Sequence, residues 1–166
     1  SRIDIYDPEL EDRLLGILRK NSLSSTDLLL EITESAYSDN ASRLIEVVNS
    51  LRKQGFKIEM DDFGSGYSSL NMLTTIPIDV LKMDMKFVSN MLKDEKSLKL
   101  CELVMDISRF LKVPVVAEGV EEKEQLDKLK SMGCQIIQGY YFSKPLPADQ
   151  FEELIEKEGD PSAKNF

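Results

Sequence analysis

The chain has 166 residues, of which 42% are hydrophobic and 31% charged, as in one globular domain and unlike a disordered segment. Its net charge of −9 argues against general binding to a nucleic-acid backbone. Because the chain has no histidine, His-ligated zinc and a Ser-His-Asp triad are excluded for this chain alone.

In chain order the predicted elements alternate between amphipathic segments and short apolar runs. They are helix Pro8–Lys20, strand Leu28–Thr33, helix Ala41–Gln54, strand Lys57–Asp62, helix Ser68–Thr74, strand Val80–Asp84, helix Ser97–Leu111, strand Pro114–Glu118, helix Lys123–Met132, strand Gln135–Gly139 and helix Ala148–Lys157. Gly55 and Gly133 follow their helices where a C-terminal cap is expected.

No apolar run approaches the roughly 18 residues of a membrane span, and the N-terminus lacks a signal-peptide pattern. The two cysteines, Cys101 and Cys134, are typical of small buried side chains in a reduced protein rather than of a disulfide. These features predict a cytoplasmic protein, with no membrane contact through this segment.

The repeated order of helix and strand predicts an α/β fold with parallel strands joined by crossover helices. Such a repeat forms either an open doubly wound sheet or a (β/α)₈ barrel. No GxGxxG follows the first strand, and the placement of polar residues favours a TIM-like barrel. A complete barrel needs eight strands in about 250 residues. Five predicted strands in 166 residues therefore indicate an incomplete barrel that lacks its N-terminal part.

Each predicted strand carries polar side chains at or near its C-terminal end. These residues are Glu31, Glu34, Asp61, Asp62, Lys82, Asp84, Glu118 and Gln138. In a parallel barrel the C-terminal strand ends share one face, where such enzymes place their active sites. Alternation along a strand puts Lys82 and Asp84 on one side, and it turns Glu34 away from Glu31.

Clustered carboxylates without histidine predict hard cations bound through oxygen, namely Mg²⁺ or Mn²⁺, with Ca²⁺ as a further option. Two such ions bridged by Asp61 or Asp62 would serve phosphodiester hydrolysis, with Lys82 orienting water and Glu118 acting as a ligand or proton acceptor. Asp61 and Asp62 are adjacent, so both reach the site only if their strand ends there. Gly64 and Gly66 agree with such an end.

Five motifs occur in a characteristic order. They are EITES (Glu31–Ser35), DDFGSGYSSL (Asp61–Leu70), LKMD (Leu81–Asp84), AEGVE (Ala117–Glu121) and QGYYFSKPLP (Gln138–Pro147). Together they resemble the EAL-domain family of cyclic-di-GMP phosphodiesterases, over the chain up to about Leu154. The resemblance implies a TIM-like barrel that hydrolyses cyclic-di-GMP to the linear dinucleotide pGpG with two Mg²⁺ or Mn²⁺ ions.

The resemblance also implies a role for each polar strand-end residue. The implied metal ligands or neighbours are Glu31, Asp61, Asp62 and Asp84, and the implied catalytic residues are Lys82, Glu118 and Gln138. Glu34 would anchor a substrate-side loop that the family also uses in dimerisation. That loop comprises Phe63, Gly64, Ser65, Gly66, Tyr67 and Ser68.

The chain departs from the family pattern in a few places. The Glu-Ala-Leu motif is absent, as is the metal-ligating asparagine of an Asn-x-Ser motif whose last residue would be Ser1. Glu59 replaces a usually small residue and faces the same side as Asp61, so we expect it to be paired, protonated or disruptive to metal binding. Met85 occupies a usually basic position.

Residues 1–157 are therefore predicted to be the C-terminal part of an EAL phosphodiesterase domain, and residues 158–166 a tail or linker. We expect feeble hydrolysis at most from this chain alone, and an active parent protein fused to other signalling domains. One alternative is an inactive module that senses the nucleotide or binds a partner; the other is a different divalent-metal barrel enzyme. Two exposed sheet edges predict a homo-oligomer.

Overall fold

The computed structural model describes residues 6–63 and 70–158, except for the side chains of residues 34, 38, 39, 70, 71, 157 and 158. Its strands form one parallel sheet in the spatial order β1-β2-β3-β4-β5. They are β1 (Leu29–Thr33), β2 (Lys57–Phe63), β3 (Val80–Met83), β4 (Val115–Ala117) and β5 (Ile136–Ile137). A doubly wound sheet reverses its strand order at a switch point, whereas this order follows the chain. The predicted incomplete TIM-like barrel is confirmed.

Helices connect the strands and cover one face of the sheet. They are α1 (Leu10–Lys20), α2 (Glu34–Asp39), α3 (Ala41–Lys53), α4 (Leu70–Thr75), α5 (Met85–Asn90), α6 (Glu95–Leu111), α7 (Lys123–Ser131) and α8 (Ala148–Glu158). The sequence analysis did not predict α2 or α5, which have six residues each. Gly55 and Gly133, at φ 92° and 89°, adopt the left-handed conformation expected after a helix.

Alternation along the strands sorts the side chains between two faces. Ile58, Met60, Leu81 and Met83 are fully buried in the apolar core, together with Leu44, Val48 and Leu51 of α3. The residues between them in sequence, Glu59, Asp61 and Lys82, therefore face the opposite side, which is the interior side of the barrel. The core thus forces these polar side chains to share one surface.

The end of β2 differs from its prediction. The strand does not end at Asp61 and Asp62 but continues to Phe63, which is 4% exposed. The pairing with β3 shifts register between Met60 and Phe63, and Asp62 has a φ of 55°. A bulge of this kind places one extra residue in a strand without ending it. The departure of Asp62 from the regular alternation of β2 therefore results from a bulge within the strand and not from the end of the strand.

The two cysteines are buried, as predicted, and both are free thiols. Burial raises the pKa of the Cys101 thiol to about 11 and also raises that of Cys134. Within the described ranges, no helix has both the length and the apolar character needed to cross a bilayer.

Asp94 caps the N-terminus of α6, so its loss offers a first prediction. Its carboxylate accepts hydrogen bonds from Ser97 Oγ, Ser97 N and Lys96 N at 2.6, 2.9 and 3.3 Å. These bonds, chiefly the one from Ser97 Oγ, lower the pKa of Asp94. The stabilisation is therefore present above the ordinary pKa and is lost as the pH falls through the lowered pKa. Asp94→Ala is expected to lower the melting temperature at pH 7, and the difference from wild type should vanish in acid; an equal difference at all pH values would contradict this.

Candidate active site

Three carboxylates, one in β1, one in β2 and one directly after β4, converge on one ammonium group. Lys82 of β3 is 8% exposed. Its Nζ lies 3.1 Å from Glu31 Oε1, 3.1 Å from Asp61 Oδ1 and 2.8 Å from Glu118 Oε1. Glu31 lies in β1, Asp61 lies in β2, and Glu118 directly follows β4. Residues far apart in sequence are thus joined at one point of the interior face.

The strand register explains why these side chains meet. In the parallel pairing, Glu31 lies beside Glu59, and Thr33 lies beside Asp61. Lys82 lies beside Val116, so Glu118, two residues later, points to the same side. Their positions at or near the C-terminal ends of the predicted strands predicted a shared face, and the structure brings Glu31, Asp61 and Glu118 into contact with Lys82.

The environment of Lys82 keeps it charged. Burial alone would lower the pKa of its ammonium group. Hydrogen bonds to Glu118, Asp61 and Glu31 outweigh that effect and raise the pKa above its usual value. Lys82 is consequently a permanent cation and cannot serve as a proton acceptor near neutral pH.

Glu59 is a fourth carboxyl group on the same face and is only 4% exposed. Burial raises the pKa of Glu59 to about 7; the nearby Lys82 ammonium opposes the rise, while the carboxylates of Glu31, Asp61 and Glu118 add to it. Glu59 therefore changes protonation state near neutral pH. Of the three alternatives expected for this residue, the environment favours protonation.

Asp62 and Asp84 belong to a second acidic group beside the first. Partial desolvation raises the pKa of the exposed Asp62, the carboxylates of Asp61 and Asp84 add to the rise, and the ammonium groups of Lys86 and Lys82 oppose it. Asp84 is 3% exposed and lies beyond β3, not in it as predicted. It caps α5 by accepting a hydrogen bond from Lys86 N at 2.7 Å. The repulsion among these three carboxylates makes this region favourable for a cation.

The remaining predicted residues are placed less directly. Gln138 is exposed, and its backbone joins the loop after β4 through bonds to Ala117 O and from Val120 N. Phe63 ends β2 as a buried side chain. The side chain of Glu34 and loop residues 64–68 lie outside the described part of the chain. The anchoring role of Glu34 and the role of the loop stay predictions.

The donors present have the chemistry that a hard divalent cation requires. Glu31, Asp61, Asp62 and Glu118 offer only oxygen ligands, and in the described part of the chain the ammonium groups of Lys82 and Lys86 lie among these acidic side chains and Asp84. In residues 6–63 and 70–158 no three acidic or cysteine side chains are grouped so that they could hold a metal ion. These carboxylate oxygens fit Mg²⁺ or Mn²⁺ in chemical type and in charge. Three of the carboxylates also contact the Lys82 ammonium group.

The parallel sheet is that of a barrel protein. Its carboxylates and lysine cluster toward the C-terminal ends of the strands, where barrel enzymes place their active sites. The model of the EAL domain family matches residues 1–145. The chain belongs to the EAL domain family, as its motifs predicted.

Individual relatives share both sequence and fold with the chain. The cyclic di-GMP phosphodiesterase NbdA of Pseudomonas aeruginosa is 36% identical over 146 residues, covering 88% of this chain and 19% of that protein. The c-di-GMP complex of the PaMucR phosphodiesterase has a TM-score of 0.86 and 33% identity, covering 91% of this chain and 61% of that chain. The manganese/cy-diGMP complex of Klebsiella pneumoniae BlrP1 at pH 6 has a TM-score of 0.80 and 32% identity, and the match covers 86% of this chain and 36% of that chain. The chain spans about a fifth of the length of several curated relatives.

Sequence reasoning missed one buried polar residue that contacts the loop following Glu118. Gln125 of α7 is 5% exposed, and its side chain binds the backbone of the loop between β4 and α7. A glutamine three residues after the N-cap residue Glu122 is a capping-box pattern, which signals a helix start but not burial.

Proposed function

We propose that the whole protein to which this chain belongs hydrolyses cyclic di-GMP to pGpG at the face that carries Lys82. The observation that carries the proposal is the convergence of Glu31, Asp61 and Glu118 on Lys82 at the C-terminal strand ends. Membership of the EAL domain family supports it, because NbdA is named a cyclic di-GMP phosphodiesterase and PaMucR is in complex with c-di-GMP.

The proposal includes two divalent cations, Mg²⁺ or Mn²⁺. Glu31 and Asp61 would hold the first, and Asp62, with Asp84 beside it, would hold the second. Bound there, the cations would supply an activated water and neutralise phosphate charge. The manganese in one BlrP1 complex and the calcium in another support a divalent cation at such a site.

The chain's own residues have separate parts in this proposal. The Lys82 ammonium, held charged by three carboxylates, attracts the anionic phosphodiester and orients the attacking water. Glu118, 2.8 Å from Lys82 Nζ, accepts a proton or serves as a ligand. Gln138 completes the site at the end of β5.

Several wider features of the whole protein are part of the same proposal. We expect a cytoplasmic protein in which residues 1–157 belong to the catalytic domain and other signalling domains are fused to it. Self-association also stays a prediction: β1 and β5 lie at the two ends of the described sheet, and Leu29 and Ile136 there are 39% and 45% exposed.

Asp61→Asn tests the proposal in the whole protein. We expect wild type to release pGpG from cyclic di-GMP in the presence of Mg²⁺ or Mn²⁺, and Asp61→Asn to lose about 100-fold or more in kcat/KM, because the amide is a weak cation ligand. The matched control is Asp127→Asn, which removes only the exposed i, i+4 pair with Lys123. Chromatographic detection of pGpG gives the rates.

Two outcomes would contradict the proposal. Equal rates for Asp61→Asn and wild type would remove Asp61 from the site. Binding of cyclic di-GMP by wild type without release of pGpG would favour a nucleotide-sensing module. Assaying the 166-residue chain beside the whole protein also tests the expectation that the chain alone is feeble.

A further inference from the structure

The loop of residues 118–122, which joins β4 to α7, is held by hydrogen bonds of its backbone. Val120 N donates to Gln138 O at 3.2 Å, and Val120 O accepts from Tyr141 N at 2.9 Å. Glu118 N donates to Met83 O at 3.4 Å. The loop is thus attached to β3 and to the segment after β5, the elements on either side of β4.

Glycines allow an unusually close approach at two points of this loop. A Cβ atom on Gly139 would lie 2.1 Å from Val120 O and 2.3 Å from Val120 N. A Cβ atom on Gly119, which has a φ of 74°, would lie 2.6 Å from Met85 Cβ. Since backbone atoms cannot give way like the tip of a side chain, any larger residue at position 139 must displace the loop.

Gln125 holds the far end of the same loop. Its side-chain Oε1 accepts hydrogen bonds from Glu121 N at 2.8 Å and Glu122 N at 3.0 Å. Its Nε2 lies 3.5 Å from Val88 O of α5, at the outer limit of a hydrogen bond. Because the amide is buried, these backbone N–H groups would lose their only described acceptor if it were removed.

Helix capping alone does not account for this side chain. Glu122 is the N-cap residue of α7, and a capping box uses the bond from Gln125 to Glu122 N. The shorter bond, to Glu121 N, lies outside the helix and reaches the loop itself. Gln125 therefore fixes loop backbone as well as the helix start.

We propose that Gln125 is a positioning residue for Glu118, with Gly139 as the second fixed point of the loop. Between them they hold the backbone from Glu118 to Glu122, and this keeps the Glu118 carboxylate 2.8 Å from Lys82 Nζ. The effect on turnover rests on the proposed function, whereas the effect on loop order does not.

Two substitutions at Gln125 test the proposal in the whole protein. Gln125→Met keeps the length of the side chain but removes the acceptor, whereas Gln125→Glu keeps an acceptor for both N–H groups. In hydrogen exchange without added metal, we expect Gln125→Met to speed exchange at residues 118–122 and also at 138–141. We expect its kcat for cyclic di-GMP to fall about tenfold or more with KM within about twofold, and Gln125→Glu to recover most of kcat.

Two matched controls separate positioning from stability. Asp94→Ala removes the N-cap of α6, whose carboxylate, like the Gln125 side chain, accepts hydrogen bonds from two backbone N–H groups. We expect this variant to change neither the exchange of the loop nor kcat. Gly139→Ala tests the second fixed point of the loop, and we expect it to lower kcat. This test does not depend on whether Gln125→Met folds. Its control is Gly16→Ala in α1, where an added Cβ would meet nothing within 4 Å.

The outcomes distinguish this proposal from capping and from failure of the proposed function. If Gln125→Met speeds exchange only at the start of α7 and leaves kcat unchanged, Gln125 is a capping residue and the proposal is overturned. If wild type does not turn over cyclic di-GMP, the proposed function fails, and exchange at 118–122 and 138–141 still decides whether Gln125 orders the loop.

Discussion

Lys82→Met in the whole protein is expected to abolish measurable hydrolysis and to destabilise the fold near neutral pH. The substitution removes the ammonium group that lies within 3.1 Å of Glu31 and Asp61 and within 2.8 Å of Glu118. Three carboxylates would then face one another without a cation, and breaking a buried ion pair from one side costs about 3–5 kcal/mol. Because Glu31 is half exposed, we expect a loss of about 2–4 kcal/mol in the free energy of unfolding.

The destabilisation has a predicted dependence on divalent cations. Added Mn²⁺ should restore part of the melting temperature of Lys82→Met if the same oxygens bind the metal. Lys99→Met is the control, since Lys99 pairs with Glu102 on the exposed surface of α6. A Lys82→Met protein as stable and active as this control would contradict the central place of Lys82.

Glu59→Gln is expected to stabilise the protein at alkaline pH and to flatten its stability profile. The pKa of Glu59 is raised to about 7 in the folded state from an ordinary value of 4.5. A raised pKa contributes stability that is complete below the ordinary value and is lost as the pH rises through the folded one. Wild type should therefore lose about 2–3 kcal/mol between about pH 4.5 and pH 8 from this group, a slope that Glu59→Gln removes.

Denaturant unfolding at a series of pH values measures this difference. The uncharged amide fills the same space, so the comparison isolates the carboxyl charge. The control is Glu46→Gln, whose carboxylate is exposed and pairs with Arg43 one turn away in α3. Parallel stability profiles for Glu59→Gln and wild type would show that Glu59 is not forced toward its neutral form by burial.

Which residues lie on the interior face of this barrel was largely predictable, because two sequence patterns determine it. They are the alternation of side chains along each strand and the alternation of helices with strands along the chain. Alternation along β2 and β3 separates Ile58, Met60 and Leu81 from Glu59 and Lys82, and an apolar core forces the choice of face. The order of helices and strands then predicts a parallel sheet. Contact between Glu31, Lys82 and Glu118 follows once the strands are adjacent and in register.

The features that the sequence did not predict depend on single conformations or on burial. The register shift in β2 coincides with a positive φ at Asp62, a conformation that is uncommon outside glycine and that no sequence pattern here indicates, although aspartate is among the residues enriched in it. Asp84 caps a six-residue helix that has no periodicity to reveal it. The burial of Gln125 depends on a neighbouring loop and helix, which a local pattern does not describe.

The register shift in β2 also restricts how this strand can evolve. Between Met60 and Phe63 the strand uses three steps where β3 uses two, from Leu81 to Met83. The extra residue lets Phe63 enter the core on the same side as Met60, although simple alternation would place it on the opposite side. Deleting either aspartate would restore simple alternation and leave Phe63 on the core side, two residues after Met60, so the apolar packing of β2 does not itself require the extra residue. The extra residue instead places two consecutive acidic side chains, Asp61 and Asp62, between two core residues, so a deletion would remove a carboxylate from this end of β2 while the core residues keep their side.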